Sequence, residues 1–107
     1  MKILGIETST RAASVAVVSD DKVLAEVIQE SNSPHSETLQ VQIEEVLKNS
    51  GVGEKIDAVA ISIGPGSFTG LRIGLAAAKI FRTVRHLRRV AFLNLAVRFL
   101  HLSANQL

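Results

Sequence analysis

Ile3-Leu4-Gly5-Ile6-Glu7-Thr8-Ser9-Thr10-Arg11-Ala12-Ala13-Ser14-Val15-Ala16-Val17-Val18 is the stretch that decides how this chain folds. Two short apolar runs, Ile3–Ile6 and the β-branched Ser14–Val18, flank a turn rich in hydroxyl side chains. That pattern predicts a hairpin. Asp20-Asp21 marks the next turn, and Val23–Ile28 reads as a third antiparallel strand. Ser33-Pro34 reads as a helix start, since Ser caps free backbone N–H groups and Pro at the first helical position has none to waste. Leu39, Ile43, Val46 and Leu47 recur at helical spacing until Ser50-Gly51. Asp57–Ile63 has the continuous apolar character of a strand buried on both faces.

Gly64-Pro65-Gly66-Ser67-Phe68-Thr69-Gly70 joins that strand to a second helix that begins near Leu71. A strand, a glycine loop and a helix N-terminus suit an anion, but they also suit a plain structural turn, and the residues leave both readings open. The Walker lysine pattern G-x-x-x-x-G-K-[ST] is absent: no lysine follows Gly70, and the basic residue two positions beyond it is Arg72. In the second helix Gly70, Gly74, Ala77 and Ala78 form a small-residue stripe that suits close packing on the domain's own sheet or on a partner helix. Generic grounds favour the sheet.

A chain of 107 residues with 47% hydrophobic and 21% charged residues suits one small domain. Without Cys, neither a disulfide framework nor a thiolate metal site is available. Glu7 interrupts the first apolar run, and no long uncharged window follows, so neither a signal peptide nor a membrane span is expected and the expected location is cytoplasmic. The net charge of +2 hides a split: all ten acidic residues lie in 1–57, and 58–107 carries seven Lys/Arg and no carboxylate. Such a split suits contact with nucleic acid or an acidic protein. Four Phe, with no Trp or Tyr, offer few platforms for stacking bases, which argues against direct base recognition. His35, His86 and His101 are scattered and form no H-E-x-x-H, so no metal site is expected. Ser9 and Ser67 lack a G-x-S-x-G context or an evident base, so no nucleophile is expected either.

At Ile3–Ser9, and again at Gly64-Pro65-Gly66-Ser67-Phe68-Thr69-Gly70-Leu71-Arg72-Ile73-Gly74, the sequence resembles the bacterial TsaB (YeaZ) family, and His35-Ser36-Glu37 fits it as well. The resemblance covers about residues 1–79. It implies an α/β fold, the first lobe of the actin/hsp70/sugar-kinase (ribonuclease H-like) class, with a mixed sheet in the order β-β-β-α-β-α. It implies a non-catalytic subunit supporting the paralogous TsaD in threonylcarbamoyladenosine modification of tRNA beside the anticodon, with the ATPase TsaE in the assembly and tRNA met indirectly. Glu7, Thr8 and Ser9 then occupy a degenerate phosphate-loop position; ATP and Mg²⁺ serve the wider complex, and this lobe alone is expected to bind neither. The resemblance further implies pairing with TsaD, or self-association, through helices of this lobe, with Leu39, Ile43, Leu47, Gly70, Gly74 and Ala78 as the expected contacts. On that expectation Gly74→Leu weakens pairing and leaves the monomer folded. The alternative is a nucleotide-binding ATPase or kinase fragment of the same superfamily.

After Lys79 the sequence leaves the family pattern. No Gly or Pro occurs beyond Gly74, and the second lobe of a full-length relative is missing, which reads as a frameshifted or truncated frame. Residues 80–107 are expected to form a divergent, basic, helical tail, with Phe81, Val84, Leu87 and Ala91 at helical spacing and a charge suited to RNA phosphates or an anionic membrane surface.

Overall fold

The computed structural model describes residues 1–8, 12–20, 22–30, 36–52, 55–62, 68–85 and 89–93. Its elements run β1 (Lys2–Glu7), β2 (Ala12–Ser19), β3 (Lys22–Glu30), α1 (Ser36–Ser50), β4 (Ala58–Ser62), α2 (Phe68–Arg85) and β5 (Arg89–Leu93). One sheet holds the strands in the order β3-β2-β1-β4-β5. The predicted hairpins are present: β1 and β2 pair antiparallel with Leu4 opposite Val17, and β2 pairs antiparallel with β3. Between β2 and β3, Asp20 takes a left-handed φ of 56°, a conformation that Asp tolerates better than most residues. A register shift at Val17/Val18 sets Val18 opposite Val23 and leaves Leu24 as the extra residue of a bulge.

The buried strand β4 lies parallel to β1, with Ile3 opposite Ala58 and Ile6 opposite Ile61. A reciprocal pair at the entrance secures this pairing: Asp57 N–H donates to the Lys2 carbonyl at 2.8 Å, and Lys2 N–H donates to the Asp57 carboxylate at 2.7 Å. Alternation splits the side chains between two faces. Leu4, Ile6, Val15, Val17, Val59 and Ile61 join α1 and α2 in the larger core cluster. Ile3, Ala16, Val18, Ala58 and Ala60 form a smaller cluster, with Met1 and Val23 packed against it. With both faces covered, β1 and β4 read as unbroken apolar runs.

Helix α1 packs over β2 and β3, and α2 packs over β4 and β1. α1 ends where the sequence predicts. Gly51 takes φ +75° just past Ser50, and the Ser50 hydroxyl donates to the Leu47 carbonyl at 3.0 Å. Gln42 of α1 is buried, and its Nε2 donates to the Ala13 carbonyl at 3.0 Å, while its Oε1 has no hydrogen-bond partner. The orphaned oxygen offsets most of what the Nε2 bond contributes. Gln42→Met is therefore expected to change stability by less than about 1 kcal/mol, whereas Gln42→Ala, which also opens a cavity, should cost about 2–3 kcal/mol. Urea unfolding of the two variants checks the difference.

The tail departs from the expected single amphipathic helix. α2 runs through Lys79 to Arg85, since no Gly or Pro interrupts it after Gly74. Beyond it, Arg89–Leu93 is a strand parallel to β4, with Val90 opposite Val59 and Phe92 opposite Ile61. Helical spacing from Phe81 to Ala91 is thus corrected at its far end: the run Val90-Ala91-Phe92-Leu93 extends the sheet, where pairing satisfies backbone groups that β4 would otherwise leave open. The expected helix start at Ser33-Pro34, and Leu87, lie outside the described residues.

Candidate functional site

The end of β1 and the first turn of α2 meet at Thr8. Its side chain is buried, and its hydroxyl donates to the Gly70 carbonyl at 2.5 Å. One turn further along α2, Gly74 sits so close that a Cβ there would collide with Thr8 Oγ1 and touch Ile6 Cγ2 at 3.7 Å. Both glycine-bearing and hydroxyl-bearing motifs of the sequence therefore join at one buried contact. A threonine hydroxyl has a single proton to donate, and this one is given to a backbone carbonyl. At the expected phosphate-loop position Thr8 thus serves as a clamp between strand and helix, and its O–H does not face an anion. Glu7 is half-buried at the strand end, opposite Ser14. Ser9, together with Gly64–Ser67, His35, His86 and His101, lies outside the described residues.

The six residues expected to meet a partner are all buried within this chain. Leu39, Ile43, Leu47 and Ala78 belong to the main core cluster, Gly70 holds the Thr8 hydroxyl, and Gly74 faces Thr8 and Ile6. The small-residue stripe takes the sheet as its neighbour, because only a helix without side chains at these steps can approach the end of β1 so closely. Within this chain, then, the stripe packs on the sheet, as generic grounds favoured.

Between α1 and α2 runs an open groove of about 130 Å³, lined on the α1 side by Gln40, Ile43, Glu44 and Leu47. Its α2 wall carries Ala77, Ile80, Phe81 and Val84, with Arg85 at the end. Ile43 and Leu47 thus form its floor while belonging to the core. On the rim Ile80 is 60% exposed and Val84 67% exposed. Two large apolar side chains one turn apart thus stand open to solvent beside the groove. The trough is too small for a drug-sized or nucleotide ligand, which needs several hundred Å³. Arg85 stands over the Phe81 ring, 5.2 Å from its centroid, and so gives the groove a charged end that helps hold its aromatic wall. Sequence reading assigned Val84 to a separate amphipathic tail and did not single out Ile80; the signal lay in their continuity with α2.

Among the described residues no three His, Asp or Glu side chains come together in a metal-holding group. No described helix is long and apolar enough to cross a membrane.

A family model, TsaD: tRNA N6-adenosine threonylcarbamoyltransferase, matches residues 22–95, well over half of the chain. The tRNA threonylcarbamoyladenosine biosynthesis protein TsaB of Haemophilus influenzae is 38% identical over 82 residues, covering 74% of this chain and 34% of that protein. The solved structure of YeaZ from Pseudomonas aeruginosa superposes with a TM-score of 0.78 at 26% identity, over 87% of this chain and 43% of that one. ROK hexokinase from Thermus thermophilus shares the fold, with a TM-score of 0.59 and 19% identity over 88% of this chain and 35% of its own. The chain spans about a third of the length of the curated relatives it matches. The α/β lobe expected from the sequence is thus the actin-like, ribonuclease H-like one, and the chain belongs to the TsaB/TsaD family of tRNA threonylcarbamoyladenosine proteins, as a TsaB-like member.

Proposed function

We propose that this chain is the docking lobe of a non-catalytic TsaB-like subunit, which supports a TsaD-like paralogue in threonylcarbamoyladenosine modification of tRNA. The observation that carries the reading is the α1–α2 groove with Ile80 and Val84 left exposed on its rim. Apolar side chains of this size, adjacent and open to water, gain from a partner that covers them. The groove also suits a second copy of the chain, so self-association competes with the paralogue for one surface. Commitment of the Thr8 hydroxyl to Gly70 favours the scaffold over the kinase-like alternative, since the phosphate-loop position has lost that donor. TsaE and tRNA enter through the assembled complex, which is also where ATP and Mg²⁺ act. We place the chain in the cytoplasm on the same reading, alongside tRNA. The proposal is for a docking lobe that includes α2 through Arg85 and β5.

The test is sedimentation velocity of the purified chain with and without the TsaD-like paralogue, alongside calorimetry with ATP and Mg²⁺. A complex with the paralogue and no tight nucleotide binding is expected. Tight ATP binding by the chain alone, or turnover of a substrate unaided, overturns the scaffold reading in favour of the enzyme.

A further inference from the structure

Helix α2 carries Arg72, Lys79, Arg82 and Arg85 and no carboxylate, and no acidic residue occurs anywhere from Ala58 onward. These charges are not spread evenly around it. At 3.6 residues per turn, positions 72, 79 and 82 fall on one flank, and all three are exposed. Ala77, Ile80, Phe81 and Val84 face α1 across the groove, on the other side of the helix. Because α1 lies over β2 and β3 while α2 lies over β4 and β1, the basic flank faces the β5 end of the sheet. β5 begins there with Arg89. Glu44 and Glu45 of α1 lie on the helix across the groove.

Arg82 stands in the last turn, where it also complements the partial negative charge of the helix end. Lys79 and Arg72 lie further back, before the last turn. Between Arg82 and Lys79 on the flank stands Leu75, half-buried against the core, and beside Arg72 stand the exposed Ala76 and Thr83. A membrane-surface helix needs apolar side chains beside its basic ones, but here those are in the core or on the groove side. A polyanion with a repeating charge suits this surface better.

We propose that the flank formed by Arg72, Lys79 and Arg82 is a phosphate-backbone contact for RNA, separate from the docking groove on the same helix. The inference rests on the reading that the chain works within a tRNA-modifying assembly, and it assigns the RNA a direct contact with this lobe. Recognition is by backbone charge without base specificity, consistent with the lack of Trp and Tyr.

The experiment measures binding of an unmodified tRNA transcript to the full chain by fluorescence anisotropy across a salt series. Lys79→Glu/Arg82→Glu is compared with Lys22→Glu/Lys48→Glu, which changes the net charge equally on exposed positions of β3 and α1. The flank variant should lose affinity at least about tenfold and reduce the slope of log K against log salt by roughly 1.5, the share of two phosphate contacts. The control variant should stay within about threefold of the native chain. Lys79→Arg/Arg82→Lys should retain affinity, and Lys79→Gln/Arg82→Gln serves if the Glu pair proves unfolded by circular dichroism. Equal losses in flank and control variants, no loss in either, or no salt-dependent binding by the native chain would overturn the proposal. So would loss of paralogue docking or of binding to phosphatidylglycerol vesicles with RNA affinity unchanged. Docking of the paralogue is measured in parallel: if it is absent in the native chain while the flank variant still loses RNA, the docking reading fails and the RNA surface stands.

Discussion

Gly74→Leu is expected to leave no folded domain to measure. The position faces the buried Thr8 hydroxyl, and even the first carbon of a side chain collides with it. Thr8 cannot step aside cheaply: it is β-branched, so its rotamer choice is narrow, and its hydroxyl is held by the Gly70 carbonyl. Gly74→Ala gives the graded version. Overpacking and the disturbed buried hydrogen bond together cost about 2–5 kcal/mol, and the better helix propensity of Ala returns about 1 kcal/mol. A net loss of about 1–4 kcal/mol is a large share of the roughly 5–15 kcal/mol typical of a small domain. Thr8→Ala removes the obstructing oxygen, so Thr8→Ala/Gly74→Ala should be less destabilised than the sum of the single variants by about 1–3 kcal/mol. Urea unfolding of the four proteins closes the cycle. Additive losses would show that Gly74 and Thr8 do not meet. The result also separates this glycine from partner binding, reversing the expectation that its replacement would spare the monomer.

Ile80→Asp/Val84→Asp should do the opposite, sparing the fold and removing the partner. Both side chains are more than half exposed, so the isolated chain loses little, within about 0.5 kcal/mol per site. On docking they would be covered. Completing the burial of an Ile and a Val already about a third covered contributes roughly 2–4 kcal/mol, and two carboxylates in their place must be desolvated as well. A loss of affinity for the TsaD-like paralogue of at least about 100-fold is expected by sedimentation or calorimetry, with an unchanged urea midpoint. Undiminished docking would move the interface away from the groove, whereas a matching drop in stability would return these residues to the core.

Much of this architecture is written in local patterns. Period-two and continuous apolar runs mark β1, β2, β3 and β4, and period-3.6 spacing marks α1, because one burial pattern repeats over each run. Residues 80–93 were harder to read. Phe81, Val84 and Ala91 sit at helical steps, yet the helix stops at Arg85 and Ala91 lies in a strand opposite Ala60. Short apolar runs such as Val90–Leu93 suit helix and strand equally, and the open edge of β4 decides between them. The expected docking residues carry a related ambiguity: Leu39, Ile43 and Ala78 have a spacing that serves an interface and a helix packed on its own sheet alike, and in this chain they join the core.

From the order of its residues alone, the chain was bound to form this lobe of alternating strands and helices and to resemble the TsaB family, since propensity, periodicity and turn chemistry all act over a few neighbouring positions. Only the tertiary structure decided what each helix face does. Thr8 and Gly70 are 62 positions apart, and their hydrogen bond turns a phosphate-loop residue into a clamp. It presses the small-residue stripe onto β1, which leaves Ile80 and Val84 beside the groove and Lys79 and Arg82 on the opposite flank. Contacts between distant segments depend on how the sheet brings its neighbours together, and no local pattern carries that information.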